Sequence, residues 1–321
     1  MITPTDSFRK VHYNLRPAKQ VERRMLVDAL LLLSEAGFQV RDYEYTGMGS
    51  IHFVDFVMFH KFLGIHSMIS VELSSEIKDR IEFNRPYRNV IRTEVDCPIG
   101  DILAKLSQTE QHLVWLDYDN ILAEYMLEDI AMAVSRMSSG SIFLITVDTE
   151  LPGFCSGAVS ETSPAETRAY FEKEAGRYLS PFLQDKDYRY ENLFSINQTA
   201  IAGSIQTGLR GSGNRFLPLF NFLYKDGHRM MTIGGMLGGD KERRKIRRSR
   251  LSKTEYARFS LDEKPCEIWV PCLTRKELLY LDSYMPSDEG WSPKEFELKE
   301  DEIEQYKRIY RFFPNYAELL M

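Results

Sequence analysis

The chain has 321 residues, of which 43% are hydrophobic, so it can bury the core of one large α/β domain or of two small ones. Its formal net charge of −6 argues against a dedicated nucleic-acid binder, and no apolar run approaches the ~20 residues of a membrane span. A polar N-terminus and four cysteines without a CxxC pair (Cys97, Cys155, Cys266 and Cys272) favour a cytoplasmic protein with free thiols, no disulfide and no metal site.

Apolar periodicity in the first 150 residues predicts helices and strands in alternation. An opening helix over 16–35 has Pro17 in its first turn and stops at Gly37. Five apolar strands follow at 38–45, 67–71, 89–95, 112–116 and 141–147, with helices between them at 51–63, at 75–84, from 101 and at 122–136. Because near-continuous apolar strands that alternate with helices are typical of parallel sheets buried on both faces, this half predicts an α/β fold.

The second half of the chain is less regular. It predicts a helix at 164–178, a flexible loop rich in Gly, Ser and Thr at 203–213, a strand at 267–273 and two terminal helices at 274–285 and 299–313. Asp226-Gly227 stands between two strand-like runs, 216–224 and 229–234, and an Asp-Gly pair in that position predicts a β-hairpin. The segment 238–253 is charged and basic.

Two glycines at the end of the first predicted strand are the most informative feature of the sequence. Gly47 and Gly49 precede a predicted helix, and a Gly-rich turn from strand to helix lets a ligand approach the backbone and the helix N–H groups. Glu72 closes the next apolar run, where a carboxylate can accept hydrogen bonds from a ribose diol. Together these residues predict binding of a cofactor that contains a nucleoside.

From residue 17 to about residue 235, the order of elements resembles the class I S-adenosylmethionine-dependent methyltransferases, in an O-methyltransferase-like branch. The resemblance implies an α/β fold with a Rossmann-like, mostly parallel seven-stranded sheet, helices on both faces and a closing antiparallel hairpin. It implies a methyltransferase-like domain at 1–236, with an insertion at about 151–215. A basic linker and a C-terminal appendage of helices and one strand would then occupy 237–321.

The motifs of that family correspond to the ends of the predicted strands. The resemblance implies S-adenosylmethionine as the cofactor and the following residues as its binding site: Thr46, Gly47, Met48, Gly49, Glu72, Asp96, Cys97 and Asp117. At the fourth motif it implies methyl transfer, with Asp117 and Asp119 as catalytic residues and with Tyr118 and Asn120 beside the acceptor. The chain departs from the family at Tyr45, where a carboxylate is usual. It also lacks the Asp-Pro-Pro-Tyr sequence that is typical of amino-group methylation of bases.

Polar residues outside the motifs add candidates for a substrate site or a lid. His12, Tyr13 and Arg16 belong to a segment that, by the same resemblance, folds over the cofactor; the alternative is a solvated arm. Asp55 lies in an apolar stretch, and a buried carboxylate needs partners, so it is predicted to anchor Lys10, His12 or Arg16 unless it is partly exposed. Asp119 or Asn120 could instead cap the helix that follows.

The basic run 241–253 leaves two interpretations open. It could meet nucleic-acid phosphates or an acidic protein face, or it could be solvated and pair with the acidic stretch 295–304. The sequence therefore predicts a methyltransferase without membrane contact, with O-methylation favoured and the acceptor and oligomeric state undefined. The alternatives are a catalytically inactive module of the same fold that recruits RNA or a protein through 241–253, and a nicotinamide-linked oxidoreductase, which matches the three-glycine fingerprint less well.

Overall fold

A computed structural model describes residues 16–150 and 163–314 of the chain. The helices are α1 Pro17–Glu35, α2 Val54–Met58, α3 Lys78–Asn84, α4 Ile99–Leu103, α5 Glu124–Arg136, α6 Pro164–Ala175, α7 Leu193–Gly208, α8 Asp240–Arg248, α9 Arg275–Asp282 and α10 Glu300–Ile309. The strands are β1 Glu44–Gly47, β2 Ser67–Glu72, β3 Ile91–Val95, β4 His112–Ile121, β5 Ile142–Asp148, β6 Arg215–Asp226, β7 His228–Gly238 and β8 Cys266–Ile268. Within the described ranges, none of the helices combines the length and the apolar character that crossing a membrane requires.

All eight strands form one sheet, in the order β3-β2-β1-β4-β5-β7-β6-β8. The first five strands are parallel, and β7 runs antiparallel to both β5 and β6. The predicted fold class is therefore confirmed, including the closing hairpin. The strand expected near 267–273 adds an eighth member, because Cys266–Ile268 pairs in parallel with Phe222–Tyr224 of β6.

Apolar side chains cover both faces of the sheet, as expected for a parallel sheet. Along β4, Leu113 and Trp115 belong to one core, which packs under α1, whereas Val114 and Leu116 belong to the other, which packs under α5. This alternation follows from the two-residue period of a strand. The C-terminal part of the chain joins the first core, since Ile309 is fully buried in it.

The loop predicted at 203–213 is wrong in its first half, because α7 continues to Gly208. A Cβ atom on Gly203 would overlap the carbonyl oxygen of Tyr178, and one on Gly208 would overlap the carbonyl oxygen of Ala131. These glycines therefore serve close packing of a helix against neighbouring backbone. Composition alone favours a loop, because glycine lowers helix propensity by about 1 kcal/mol relative to alanine.

The basic segment 238–253, expected as a linker, contains the helix α8 and a 3-10 turn at Arg250–Lys253. Ile246 of the helix and Leu251 of the turn are buried in the first core. Ile246 is the single apolar residue of this otherwise charged helix, and Lys245 beside it donates to the Gly37 carbonyl at 3.0 Å. The domain boundary at 236/237 stays a prediction.

Candidate functional site

The strand order reverses between β1 and β4. Gly47 of β1 pairs with Ser70 of β2 on one side and with Trp115 of β4 on the other, although β2 and β3 come between β1 and β4 in the chain. Ligands of open α/β sheets bind in the crevice outside the carboxyl ends of the strands, at such a switch point. We call the ends of β1 to β5 the carboxyl edge; each motif residue predicted from the sequence lies in the C-terminal half of one of these strands or directly after it.

The glycine turn at the end of β1 packs tightly against neighbouring side chains. A Cβ on Gly47 would overlap the Tyr45 hydroxyl, and one on Gly49 would lie 2.5 Å from the Ser70 Oγ. Both positions therefore require glycine for local packing, independently of any ligand. Thr46 is fully buried, and Met48 is half-buried against the second core.

The turn leads into a shorter helix than the sequence predicts. The continuous α-helix expected at 51–63 is wrong, because α2 covers only Val54–Met58 and passes into a π-helical turn, Phe59–Leu63. Ser50 and Phe53, before the helix, have φ angles of 47° and 50°. Non-glycine residues in this left-handed region cost of order 1 kcal/mol, and such strain is concentrated at functional turns.

The ends of β2 and β3 meet beside this turn. Glu72 is half-buried, and its Oε1 accepts a hydrogen bond from the Ser74 N–H at 3.1 Å. Burial raises the pKa of the Glu72 carboxyl, although hydrogen bonds from the backbone N–H groups of Ser74 and Leu73 oppose that effect. The Cys97 N–H donates to the Glu72 carbonyl at 3.4 Å, and Asp96 is exposed with a φ of 59°.

Asp117, the first residue of the fourth motif, is bonded to a lysine that no sequence motif singles out. Its Oδ1 lies 2.7 Å from the Nζ of Lys19, which is completely buried in α1. The same ammonium lies 2.8 Å from a Glu22 carboxylate oxygen and donates to the Tyr224 hydroxyl at 3.1 Å. Burial raises the pKa of Asp117, but the charges of Lys19 and Arg23 outweigh it and hold the pKa below its usual value.

The other residues of the fourth motif point in several directions. Asp119 lies 3.7 Å from the Arg16 guanidinium. The Tyr118 hydroxyl donates to Asp129 at 2.6 Å on the α5 side of the sheet, and Asn120 hydrogen bonds with Tyr125. The alternative that Asp119 or Asn120 caps the next helix is wrong, because Ala123 holds the N-cap position of α5.

Asp55 is buried and accepts a short hydrogen bond from the Tyr45 hydroxyl. Burial raises the pKa of Asp55, and the nearby Arg23 charge acts in the opposite direction. The predicted anchor for Asp55 was the N-terminal segment. Of the predicted anchors Lys10, His12 and Arg16, the first two lie outside the described residues, as does Tyr13, and Arg16 lies 3.7 Å from Asp119. Tyr45 supplies Asp55 with a hydrogen bond, and Arg23 supplies a counter-charge.

The end of β5 carries a second polar group of side chains. Asp148, Glu150 and His228 place their ligand-type atoms within 4.8 Å of one another. The Nδ1 of His228 lies 3.0 Å from Asp148, and the Glu150 N–H donates to Asp148 at 2.7 Å. Burial raises the pKa of the Asp148 carboxyl, while the Glu150 N–H and the His228 ring oppose that effect. Asp148 is opposite Ile121 of β4, so this group lies beside the fourth motif.

Sequence reasoning missed the charged residues of α1 and the group at β5. Lys19, Glu22 and Arg23 look like a solvated face, yet all three are buried. A usable signal was helical spacing. Lys19, Glu22 and Arg23 share the face of α1 that carries the buried leucines, whereas the outer stripe is formed by Gln20, Arg24, Asp28 and Glu35.

Comparison with known proteins identifies the family. Residues 11–321 match the family described as putative O-methyltransferase. The chain belongs to this family. The resemblance to class I methyltransferases that the motifs predicted is thereby confirmed. No curated protein matches this chain.

Three solved structures resemble this chain distantly. Trm1 from Pyrococcus horikoshii with S-adenosyl-L-methionine aligns at 11% identity with a TM-score of 0.42, over 70% of this chain and 58% of that one. A putative S-adenosylmethionine-dependent methyltransferase from Listeria monocytogenes aligns at 9% identity and 0.40, over 66% and 98%. The Methanococcus jannaschii fibrillarin pre-rRNA processing protein aligns at 12% identity and 0.33, over 62% and 68%.

Proposed function

We propose that this protein is an S-adenosylmethionine-dependent methyltransferase with an oxygen acceptor. The family match supports the reaction class, and the carboxyl edge supports the position of the cofactor. The observation that carries the proposal is the register of β1 and β2. Gly47 pairs with Ser70, so Glu72 extends two residues further along the neighbouring strand. Given ~3.3 Å of rise per residue and ~4.8 Å between strands, Glu72 lies roughly 8 Å from the glycine turn.

The residues at the carboxyl edge have the chemistry that this cofactor requires. A half-buried carboxylate at the tip of β2 suits the two hydroxyls of a ribose, and we assign Glu72 to them. The predicted binding residues Thr46, Gly47, Met48 and Gly49 form the turn beside it. Asp96 and Cys97 follow the next strand. When bound, the cofactor supplies an electrophilic methyl group on sulfur.

The protein must orient the acceptor and remove its proton. Asp117 is a weak proton acceptor, because Lys19 and Arg23 lower its pKa. We therefore propose that Asp117 contributes a fixed negative charge near the sulfonium, and that Asp119 binds the acceptor together with Arg16. We propose His228 as the general base that removes the proton of the acceptor. His228 is half-exposed, and Asp148 at the neighbouring strand end orients its ring.

Calorimetry with S-adenosylhomocysteine tests the cofactor site. Wild-type protein should bind the ligand, and Glu72→Ala should weaken binding at least tenfold, because the diol loses a charged acceptor worth about 1.5–3 kcal/mol. Glu76→Ala removes an exposed carboxylate a few residues away and serves as the matched control. Absence of binding to the wild type at high micromolar ligand, or equal affinities for the two variants, would contradict the proposal.

The second candidate function is that of a catalytically inactive binding module with the same fold. Such a module would recruit RNA or a protein partner through 241–253. One observation favours a partner there: the side chains of Arg243, Arg244, Arg247 and Arg248 form no ion pair with any described carboxylate. Unpaired arginines favour a binding partner at this surface, but they do not argue against an active enzyme.

A further inference from the structure

Four arginines of α8 form a cationic surface on an acidic protein. The side chains of Arg243, Arg244, Arg247 and Arg248, here called the arginine face, make no hydrogen bond or ion pair within the described part of the chain. The expected pairing with the acidic stretch 295–304 is wrong, because none of the ion pairs among described residues joins the two segments. The arginine face is therefore available to an external anion.

Neighbouring cations are, by contrast, used within the fold. Arg215 pairs with Asp240 at 2.7 Å, Lys245 donates to the Gly37 carbonyl at 3.0 Å, and Arg250 lies 3.4 Å from Glu35. The four arginines of the face therefore differ from these neighbouring cations, each of which has a partner within the protein. They stand in two rows, 243 with 247 and 244 with 248, in which the members of each row are one helical turn apart. Like charges at this spacing repel, and a bound polyanion would relieve that repulsion.

A cleft of about 210 Å³ opens beside the first row. It lies between α8 and the start of β6, and its lining consists of Leu217, Pro218, Arg243, Ile246, Arg247 and Phe259. The Phe259 ring is 36% exposed, and its backbone N–H is held by the Glu263 carboxylate at 3.1 Å. Two guanidinium groups beside an accessible aromatic ring on an apolar floor form the combination that binds a phosphate and stacks a base.

A second cleft, of about 360 Å³, lies next to the first and shares Pro218 with it. Its polar lining comes from Gln206, Asn214 and Arg215. The strand β8 pairs with β6 only from Phe222 to Tyr224, and the Arg258 N–H donates to the Leu219 carbonyl at 2.9 Å. On this side, residues 215–218 at the start of β6 have no partner strand among the described residues. An extended chain can therefore pass from one cleft to the other across this edge of the sheet.

We propose that the arginine face and the Phe259 cleft bind single-stranded RNA. Phosphates contact the two arginine rows, and one base stacks on Phe259. A duplex does not fit this arrangement, because its bases are already stacked and cannot enter a recessed cleft. An acidic peptide would also satisfy the arginines, so polyglutamate is the competitor that distinguishes the two occupants. The proposal is independent of the methyltransferase assignment, since it rests on a surface outside the carboxyl edge.

Fluorescence anisotropy with a labelled oligouridylate of about 12 nucleotides, within the ~4–16 that such sites cover, tests the proposal. Titrations between about 50 and 200 mM salt should give a linear decrease of log affinity with log salt. Arg243→Gln/Arg247→Gln should lower the affinity and reduce the magnitude of the salt slope by about 1.4, from ~0.7 for each lost contact. Arg88→Gln/Arg92→Gln removes the same charge from exposed residues near β3, at the opposite edge of the sheet, and should bind like the wild type.

The aromatic contact needs its own variant pair. Phe259→Ala should weaken binding about tenfold with little change in salt slope, because stacking is worth ~1–3 kcal/mol per base. Phe182→Ala removes a ring that is 86% exposed in another part of the molecule and should have no effect.

Several outcomes would overturn the proposal: equal losses in the two double-arginine variants, equal losses in the two phenylalanine variants, competition by polyglutamate as strong as by RNA, or tighter binding of duplex RNA. Calorimetry with S-adenosylhomocysteine on Arg243→Gln/Arg247→Gln separates this inference from the proposed function. Cofactor affinity should be unchanged in that variant. A wild type that binds RNA and no cofactor would refute the methyltransferase and leave the RNA site intact.

Discussion

The carboxylate of Asp226 accepts a hydrogen bond from the backbone N–H of Lys19 at 2.9 Å, across 207 positions of the chain. Its other oxygen accepts the Ala18 N–H at 3.2 Å, so one side chain of the closing hairpin caps the first helix. The side chain of the same Lys19 bonds Asp117 at the carboxyl edge. The start of α1, the hairpin and the fourth motif are therefore fixed to one another through two residues.

Loss of the Asp226 carboxylate should destabilise the protein. Asp226→Ala removes both acceptors from the N-terminus of α1, and loss of such a cap costs about 1 kcal/mol, with up to ~2 in favourable sites. Urea unfolding should show the decrease, and Asp226→Asn, which keeps one acceptor oxygen, should recover part of it. Equal stability of Asp226→Ala and the wild type would show that Pro17 and the packing of α1 position the helix without this cap.

Removal of the Lys19 ammonium should destabilise the protein more than loss of the Asp226 carboxylate does. Lys19→Met leaves the Asp117 and Glu22 carboxylates without the lysine that lies between them, and an unpaired buried charge costs about 3–5 kcal/mol. Lys245→Met, on α8, removes a lysine that donates to a backbone carbonyl near the surface and lies 4.6 Å from the centroid of the Phe38 ring, and it should cost only about 1 kcal/mol. Denaturant midpoints of the two variants give the comparison. Similar midpoints would mean that the buried network contributes no more than a surface contact.

The sequence predicted the sheet better than it predicted the site. Strand positions such as Ile142–Asp148 follow from a continuous run of buried apolar residues, which a sequence displays directly. The Lys19–Asp117 pair joins residues 98 positions apart, and local periodicity carries no information about which buried charge meets which. The same limit explains Asp55, whose partner Tyr45 is close in sequence but whose counter-charge, Arg23, comes from another helix.

The glycines of α7 give a test of helix packing with an internal control. In Gly203→Ala the new methyl group would overlap the Tyr178 carbonyl, so the backbone must move, at a cost of about 1–3 kcal/mol or more. Gly176, near the C-terminal end of α6, has nothing within 4 Å of the position that a Cβ atom would occupy, and Gly176→Ala should stabilise by about 0.4–1 kcal/mol. Thermal unfolding of both variants measures the difference. Stabilisation by Gly203→Ala would mean that α7 does not approach Tyr178 this closely.

Asp129 should make stability depend on pH near neutrality. Burial raises the pKa of its carboxyl to about 6, although the Tyr118 hydroxyl that bonds it acts in the opposite direction. Because the folded pKa lies above the unfolded value, the stabilising contribution is complete below pH ~4 and is lost as the pH rises through about 6.

Asp129→Asn cannot ionise, so relative to the wild type it should gain on the order of 1–2 kcal/mol of stability between pH 4.5 and 7.5, after allowance for solvent screening of a partly exposed group. Urea unfolding across this range measures the gain, and Asp79→Asn, which removes an exposed carboxylate on α3, is the matched control. If the difference between Asp129→Asn and the wild type stayed constant with pH, the Tyr118–Asp129 bond would not involve a carboxyl that titrates near neutrality.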